Sequence, residues 1–322
     1  MLKIKIGVTS GPEGFPKYLE EKGLDVYSRP WFSQDEDDFI KRLKGLDAVI
    51  AGSDPFSARV LDSLKDSLKL ISRLGVGVDA IDLKRAGELG IAVCNTPGML
   101  SIQVAEHTIA LLFSLTKKII SYDKNVKAGI WKTLPAHPEI EGKIIGLVGF
   151  GAIARQVAKY LAVFNCHLMA YDPNFNSEAA GKLGVQKAPI DELLAKSDVV
   201  SLHLPATPET TGMVNMEFLL KMKKESIIIN TSRGAIIKEH DLIEALKNKT
   251  ISGAALDVMQ TEPPGIENPL YAFENVIITP HSAWNTFEGS WRVAKEATER
   301  VCELQDGREI ISVVNANLLR II

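Results

Sequence analysis

From Lys143 onward, short runs of β-branched and aliphatic residues alternate with longer stretches whose apolar positions recur every three to four residues. The runs are KIIGLVGF, HLMAYD, DVVSLHL, SIIIN, ISGAALDV and NVIITP. They are apolar on both faces, as strands buried in a parallel sheet between helix layers must be. Between them, AIARQVAKYLAVF and KEHDLIEALKN place their apolar residues on one helical face. This alternation predicts βαβ units with right-handed crossovers. The first hundred residues repeat the rhythm on a smaller scale, with KIKIGV, LDVYS, LDAVIAG, LKLISRLG and IAVCNTP as five strands with helices between them. The expectation is an α/β protein of two doubly wound parallel-sheet domains. From Ser101 to about Ile120 the pattern predicts one long helix, N-capped by the serine and connecting the two lobes. A last helix, from about Thr286 to Leu304, could carry the chain back toward the first lobe.

Composition narrows the partners. The 322 residues exceed what one core usually organises, which again favours two domains. A net charge of −3 gives no electrostatic case for nucleic acid or an anionic membrane. The acidic run Asp35–Asp38 reads as a solvated helix start. The N-terminus, MLKIKIGVTS, lacks the apolar core and small-residue cleavage site of a signal peptide and reads as a strand. SIQVAEHTIALLFSLTKKII is interrupted by Gln103, Glu106, His107, Lys117 and Lys118, so it reads as a buried or interface helix and not a membrane span. Cys94, Cys166 and Cys302 are far apart and outside any CxxC, as expected of reduced thiols in a cytoplasmic protein. The six histidines show no zinc spacing, and no metal is expected.

The chemistry-bearing residues fall at strand ends. VGFGAIARQVA follows a strand and opens a helix, with Gly149 and Gly151 in the first two glycine places of a dinucleotide fingerprint and Ala154 in the third. The first glycine permits a tight turn, and the second lets a pyrophosphate approach the backbone. The helix start at Ala152 and Ile153 offers free N–H groups and a positive dipole end to phosphates. Asp172, in YDP, ends the next strand at about the twenty-residue offset of a ribose-binding acid. A carboxylate there accepts from a ribose 2′-hydroxyl and repels a 2′-phosphate, which favours NAD over NADP; the alternative is a strand-end cap before Pro173. Arg233 in NTSRG, Glu262 in TEPP and His281 in TPHSAW each follow an apolar run. Singly, each has a plain reading as a surface arginine, a loop acid or a backbone-bonded histidine. Jointly, a guanidinium, a carboxylate and an imidazole at one sheet edge could bind a substrate carboxylate and move a proton.

With these residues in place, the chain resembles the D-isomer-specific 2-hydroxyacid dehydrogenases over essentially its full length. LGVGVDAIDLKRAGELGIAVCNTPG, VAEHTIALL, GLVGFGAIAR, MKKESIIINTSRGAIIKEHDLIEALKNKTISGAALDV, EPP and TPHSAW stand in the family's order. The resemblance implies a flavodoxin-like substrate domain, discontinuous over 1–99 and 287–322, and an inserted Rossmann NAD-binding domain over 100–286. It implies a cleft that opens and closes, and homodimers formed through the cofactor domains. It further implies that Arg233 binds substrate, that His281 is the catalytic histidine and that Glu262 is its acid partner. The backbone at Val76 and Gly77 would hold the substrate carboxylate, Asp257 would stand near the nicotinamide, and Thr231 and Ser232 would line the same end of the cofactor.

Substrate choice is open between two types. Phosphoglycerate dehydrogenases often carry a base in the loop after the third strand, which here reads Ala51-Gly52-Ser53-Asp54. Leu100 before VAEH resembles glyoxylate and hydroxypyruvate reductases, while VAEH and GVGVDAID lean toward the phosphoglycerate type. The expectation is a small, unphosphorylated 2-keto or 2-hydroxy acid. Trp284 is similar to a tryptophan of the C-terminal-binding corepressors. It could pack on a hydrophobic substrate side chain or be interface core. It also raises an NAD(H)-sensing binding protein as an alternative of another class. Formate dehydrogenases pair their histidine with a glutamine, and Glu262 argues against them.

Overall fold

The computed structural model describes residues 4–27 and 35–319. Lys3 and Ser28, both placed in strands by the pattern, lie outside the described residues. The chain forms two compact units, Met1–Leu100 with Asn285–Ile322, and Ser101–Trp284.

The first unit holds a sheet of five parallel strands, β1 (Lys5–Val8), β2 (Asp25–Val26), β3 (Ala48–Ala51), β4 (Leu70–Arg73) and β5 (Ala92–Cys94). Their order, β2-β1-β3-β4-β5, is the flavodoxin-like one. Both faces are covered, and the side-chain alternation of β3 shows how. Val49 and Ala51 enter a core with Phe39, Phe56 and Leu61, while Ala48 and Ile50 enter the opposite core with Ala294, Ala297 and Val301. The last three residues belong to the helix Phe287–Asp306, which starts at Thr286, whose hydroxyl accepts from the Gly289 N–H at 3.1 Å. It ends at Gly307 in the left-handed conformation. Ser72 of β4 donates to the Ala297 carbonyl at 2.9 Å and pins this helix to the sheet.

The second unit holds seven parallel strands, β6 (Ile144–Val148), β7 (His167–Tyr171), β8 (Val185–Lys187), β9 (Val199–Leu202), β10 (Ile227–Asn230), β11 (Gly253–Leu256) and β12 (Val276–Ile278). The order β12-β11-β10-β9-β6-β7-β8 puts the reversal of strand order between β6 and β9. Ligands bind outside the carboxyl ends of strands at such a switch point. β10, β11 and β12 lie side by side, so the loops carrying Arg233, Glu262 and His281 follow three neighbouring strands.

Three features depart from the sequence pattern. β8 has no counterpart among the predicted strands, because it is a short edge strand in which Val185 alone is buried and Gln186 and Lys187 face solvent. The long helix predicted from Ser101 to about Ile120 ends at Thr116. Lys118 is left-handed there, and a second helix, Ile119–Lys127, follows with none of its residues buried in this chain. Ser101 is itself the first helical residue and not the residue before it. The acidic run does open a helix, Glu36–Leu43, where the Asp35 carboxylate accepts from the Asp37 and Asp38 N–H groups. Among the described residues, no helix is long and apolar enough to cross a membrane.

Candidate active site

The turn after β6 is a site made of backbone. Gly149 has φ 94°, and a Cβ there would lie 2.6 Å from the His203 carbonyl oxygen. A side chain is therefore excluded by conformation and by space. Gly151 precedes the helix Ala152–Leu161 and provides no side-chain cap, and a Cβ built on it meets nothing within 4 Å. The first N–H groups of that helix, at Ala152 and Ile153, thus face open space beside a positive dipole end. Ala154 is buried against the sheet, as the third fingerprint position requires. Asp172, after β7, accepts the Phe150 N–H on Oδ2 and the Asn174 N–H on Oδ1, each at 2.7 Å. Each oxygen keeps a second lone pair for another donor. The open cradle, the uncapped helix and this carboxylate fit a dinucleotide.

The turn after β10 is organised by buried Asn230. Its Oδ1 accepts from the Ser232 N–H (3.0 Å) and hydroxyl (2.8 Å), and its Nδ2 donates to the Arg233 carbonyl at 2.9 Å. Thr231 is buried, with its hydroxyl 2.8 Å from that of Thr108. The Arg233 guanidinium is partly exposed and donates to the Ser232 carbonyl at 2.7 Å. Next to it, Gly234 lies so close to Met259 that a Cβ would meet its carbonyl at 1.8 Å. This close approach locks the Arg233 turn to the loop after β11.

In that loop the Glu262 carboxylate is held from one side and holds from the other. Oε1 accepts the Met259 N–H at 2.9 Å, and Oε2 lies 2.7 Å from Nδ1 of His281. The structure therefore brings Glu262 and His281 into direct contact, and places Arg233 on the adjoining turn. Among the described residues, Nε2 of His281 takes no hydrogen bond, and the ring is exposed.

Asp257 lies under the His281 loop and is 1% exposed. Oδ1 accepts the Thr279 hydroxyl (2.5 Å) and the Ser282 N–H (2.9 Å), and Oδ2 accepts the Ala283 N–H (3.0 Å). Nε2 of His107 lies 3.3 Å from Oδ1 and 3.0 Å from the Thr279 hydroxyl. Burial pushes the Asp257 carboxyl up, but the donors from His107, Thr279, Ala283 and Ser282 outweigh it and hold the group below its ordinary value. The sequence pattern assigned nothing to His107 or Thr279. A usable signal existed, since Glu106-His107-Thr108 puts polar side chains into an apolar helix, where a buried one needs a partner. Under the glycine turn, burial depresses the His203 imidazole to about 4, so the ring is neutral, with Nε2 2.9 Å from the Ser201 hydroxyl.

In the first unit, Val76 is exposed, and its carbonyl accepts from Asn95 at 2.8 Å, while the Gly75 carbonyl accepts the Thr96 N–H at 3.0 Å. The loop Ala51–Asp54 contains no base of its own, but Arg73 at the end of β4 donates to the Ser53 hydroxyl at 3.2 Å. Asp54 is buried against the Thr9 hydroxyl, and burial raises its carboxyl despite that bond and the nearby Arg73 charge. Trp284 is 45% exposed.

Strand order, glycine turn and acid–imidazole pair together define a two-unit α/β protein of the dinucleotide-linked dehydrogenase class. Comparison with known proteins specifies the family. Residues 109–283 match the D-isomer specific 2-hydroxyacid dehydrogenase, NAD binding domain. A D-3-phosphoglycerate dehydrogenase of Archaeoglobus fulgidus is 37% identical over 92% of this chain, which spans 56% of that protein's length. A glyoxylate reductase of Thermofilum pendens is 36% identical over 91% of this chain and 88% of its own. The solved structure of a Thermus thermophilus protein superposes with a TM-score of 0.89 at 34% identity, covering 97% of this chain and 100% of that one. The chain belongs to the D-isomer-specific 2-hydroxyacid dehydrogenases, a class of NAD-linked oxidoreductases.

Proposed function

We propose that the protein is an NAD-dependent D-2-hydroxyacid dehydrogenase that interconverts a small 2-hydroxy acid and its 2-keto acid, of the glyoxylate or hydroxypyruvate type. The 2.7 Å contact between Nδ1 of His281 and Oε2 of Glu262 carries this reading. Removing a hydride from a hydroxyl-bearing carbon requires a group to take the hydroxyl proton as the carbonyl forms. Nε2 of His281 is that base, and the protonated ring is the acid in the reductive direction. Glu262 holds the proton on Nδ1 and stabilises the imidazolium. Arg233 binds the substrate carboxylate with its planar fork and polarises the carbonyl. Val76 and Gly77 offer backbone groups suited to a substrate carboxylate. Bound NAD supplies the hydride acceptor, and NADH the donor. Gly149, Gly151, Ala152 and Ile153 hold its pyrophosphate and Asp172 its ribose, with Thr231, Ser232 and Asp257 at the nicotinamide end.

A second reading, D-3-phosphoglycerate dehydrogenase, is favoured by Arg73, whose guanidinium supplies the loop after β3 with a cation that the loop itself lacks. The test is NADH oxidation, followed by absorbance, against glyoxylate, hydroxypyruvate, phosphohydroxypyruvate, pyruvate and longer 2-keto acids. Preference for the first two supports the unphosphorylated assignment, and preference for phosphohydroxypyruvate replaces it. NADH binding with no turnover of any keto acid would instead support an NAD(H)-sensing protein, in which Trp284 serves a partner and not a substrate.

A homodimer through the NAD-binding unit is part of the proposal. Ile119, Ile120, Val126, Ile130 and Trp131 of that unit are exposed, Trp131 by 90%, and such an apolar group favours burial against a second copy. So is a cytoplasmic location, supported by three unpaired thiols; burial pushes that of Cys94 up to about 12.

A further inference from the structure

We propose that His107 is a positioning residue for the His281 imidazole, acting through Thr279 and the buried carboxylate of Asp257. The inference rests on the dehydrogenase reading above, because it gives His281 a reaction to serve.

The loop from Thr279 to Ala283 is wound around one side chain. Asp257 takes the Thr279 hydroxyl, the Ser282 N–H and the Ala283 N–H on its carboxylate, and the His281 N–H on its backbone carbonyl at 2.8 Å. Every residue of that loop except Pro280 thus donates to Asp257. The winding forces His281 into the left-handed region, with φ 50°. For a residue with a side chain this conformation is unfavourable, so it persists only where the surroundings impose it. The direction of the His281 ring, and with it the 2.7 Å contact to Glu262, is set by how tightly Asp257 holds the turn.

His107 enters from a different element, the helix Ser101–Thr116. The Thr279 hydroxyl has one proton, and the 2.5 Å contact gives it to Oδ1 of Asp257. At 3.0 Å the Thr279 oxygen therefore accepts from Nε2–H of His107, and the same N–H points toward Oδ1 at 3.3 Å. The hydrogen-bond pattern assigns the His107 proton to Nε2. His107, Thr279 and Asp257 then form a directed chain, with each donor committed to an acceptor and donors on both carboxylate oxygens. A loss at its outer end leaves the Thr279 oxygen without its donor and loosens the turn that aims His281. A catalytic group misplaced by about 1 Å can cost on the order of 10²-fold in rate.

Two variants test this, His107→Phe, which removes the donor, and His107→Gln, whose amide can still donate. Three readouts are compared with the wild type: NADH affinity by fluorescence, kcat and KM for the best keto acid, and the titration of the His281 ring by NMR in the cofactor-free protein, its signal identified by its absence in His281→Gln. The expected result for His107→Phe is a kcat lower by about ten- to a hundredfold, near-unchanged NADH affinity and a displaced His281 titration. His107→Gln should recover most of both losses. A wild-type kcat and an unmoved His281 titration in folded His107→Phe would overturn the proposal. So would losses that follow the melting temperature and are not recovered in His107→Gln, because those describe a packing residue. If the wild type reduces no keto acid, the dehydrogenase reading fails, and the His281 titration still decides whether His107 positions the ring.

Discussion

The turns after β6 and β12 stand at the same edge of one sheet and are held by opposite means. The Gly149–Gly151 turn is shaped by what is missing: one Cβ would strike the His203 carbonyl, and the other would fill the space left before the helix. The Thr279–Ala283 turn is shaped by what is present, a buried carboxylate with donors on both oxygens. The glycine turn leaves the first N–H groups of the helix behind it uncapped for a ligand, whereas the turn held by a carboxylate has its N–H groups occupied and presents a side chain. The first suits a cofactor bound through its phosphates, and the second suits a proton-transfer group that must point in one direction.

The sharpest way to break this contrast is to remove the side chain that the second turn presents. Replacing His281 with Gln is expected to lower kcat by about 10²–10⁴-fold, the contribution of a positioned base, with NADH affinity nearly unchanged. Steady-state kinetics beside fluorescence titration of NADH would show it. Equal losses in both would mean that the two turns are not separate in function.

The first turn can be divided within itself. Gly149→Ala would set a Cβ 2.6 Å from a backbone oxygen at φ 94°, and should destabilise the protein by about 3 kcal/mol. Gly151→Ala enters open space at φ −75°, which any residue adopts, so the melting temperature should hold while dinucleotide affinity falls. Paired thermal melts and NADH titrations decide the matter. Unchanged affinity in Gly151→Ala would remove the pyrophosphate from this turn.

The same contrast explains what could be read from the sequence. The glycine turn was legible because a backbone site leaves its mark in consecutive letters, VGFGAIA, at a strand–helix junction. Both sheets were legible in outline, since strands buried on two faces must be apolar throughout. β8 was not, because an edge strand with one buried residue carries no such run. The break at Lys118 escaped for a related reason: apolar periodicity continues across it, although Ile119 and Ile120 are exposed in this chain. Glu262 and His281 were legible as types at strand ends, but their supports were not. His107 lies 172 residues before Thr279, and Arg73 lies 20 after Ser53, so only the fold makes either pair visible. The loop after β3 does lack a base, and the cation beside it comes from Arg73 on the next strand, which the letters of the loop do not show.

Asp172 combines both means and gives the smallest expected effect. Its carboxylate ties the glycine turn through the Phe150 N–H at 2.7 Å, as the strand-end cap reading requires, and keeps lone pairs for a ribose. Asp172→Ala removes both functions together. Loss of the Phe150 bond should cost about 1 kcal/mol, and a weaker NAD complex would follow from either cause. Asp172→Asn separates them in part, because its one amide oxygen can still accept from Phe150, with the Asn174 bond given up, while the negative charge is gone. If the charge selects the coenzyme, Asn should melt between the wild type and Ala yet use NADPH relatively better, by about tenfold for each 1.4 kcal/mol of repulsion removed. Melting curves and the ratio of kcat/KM for NADH to that for NADPH, in both variants, are the measurements. An unchanged ratio in Asp172→Asn, with the larger stability loss in Ala, would leave Asp172 as a cap of the turn and move coenzyme choice elsewhere.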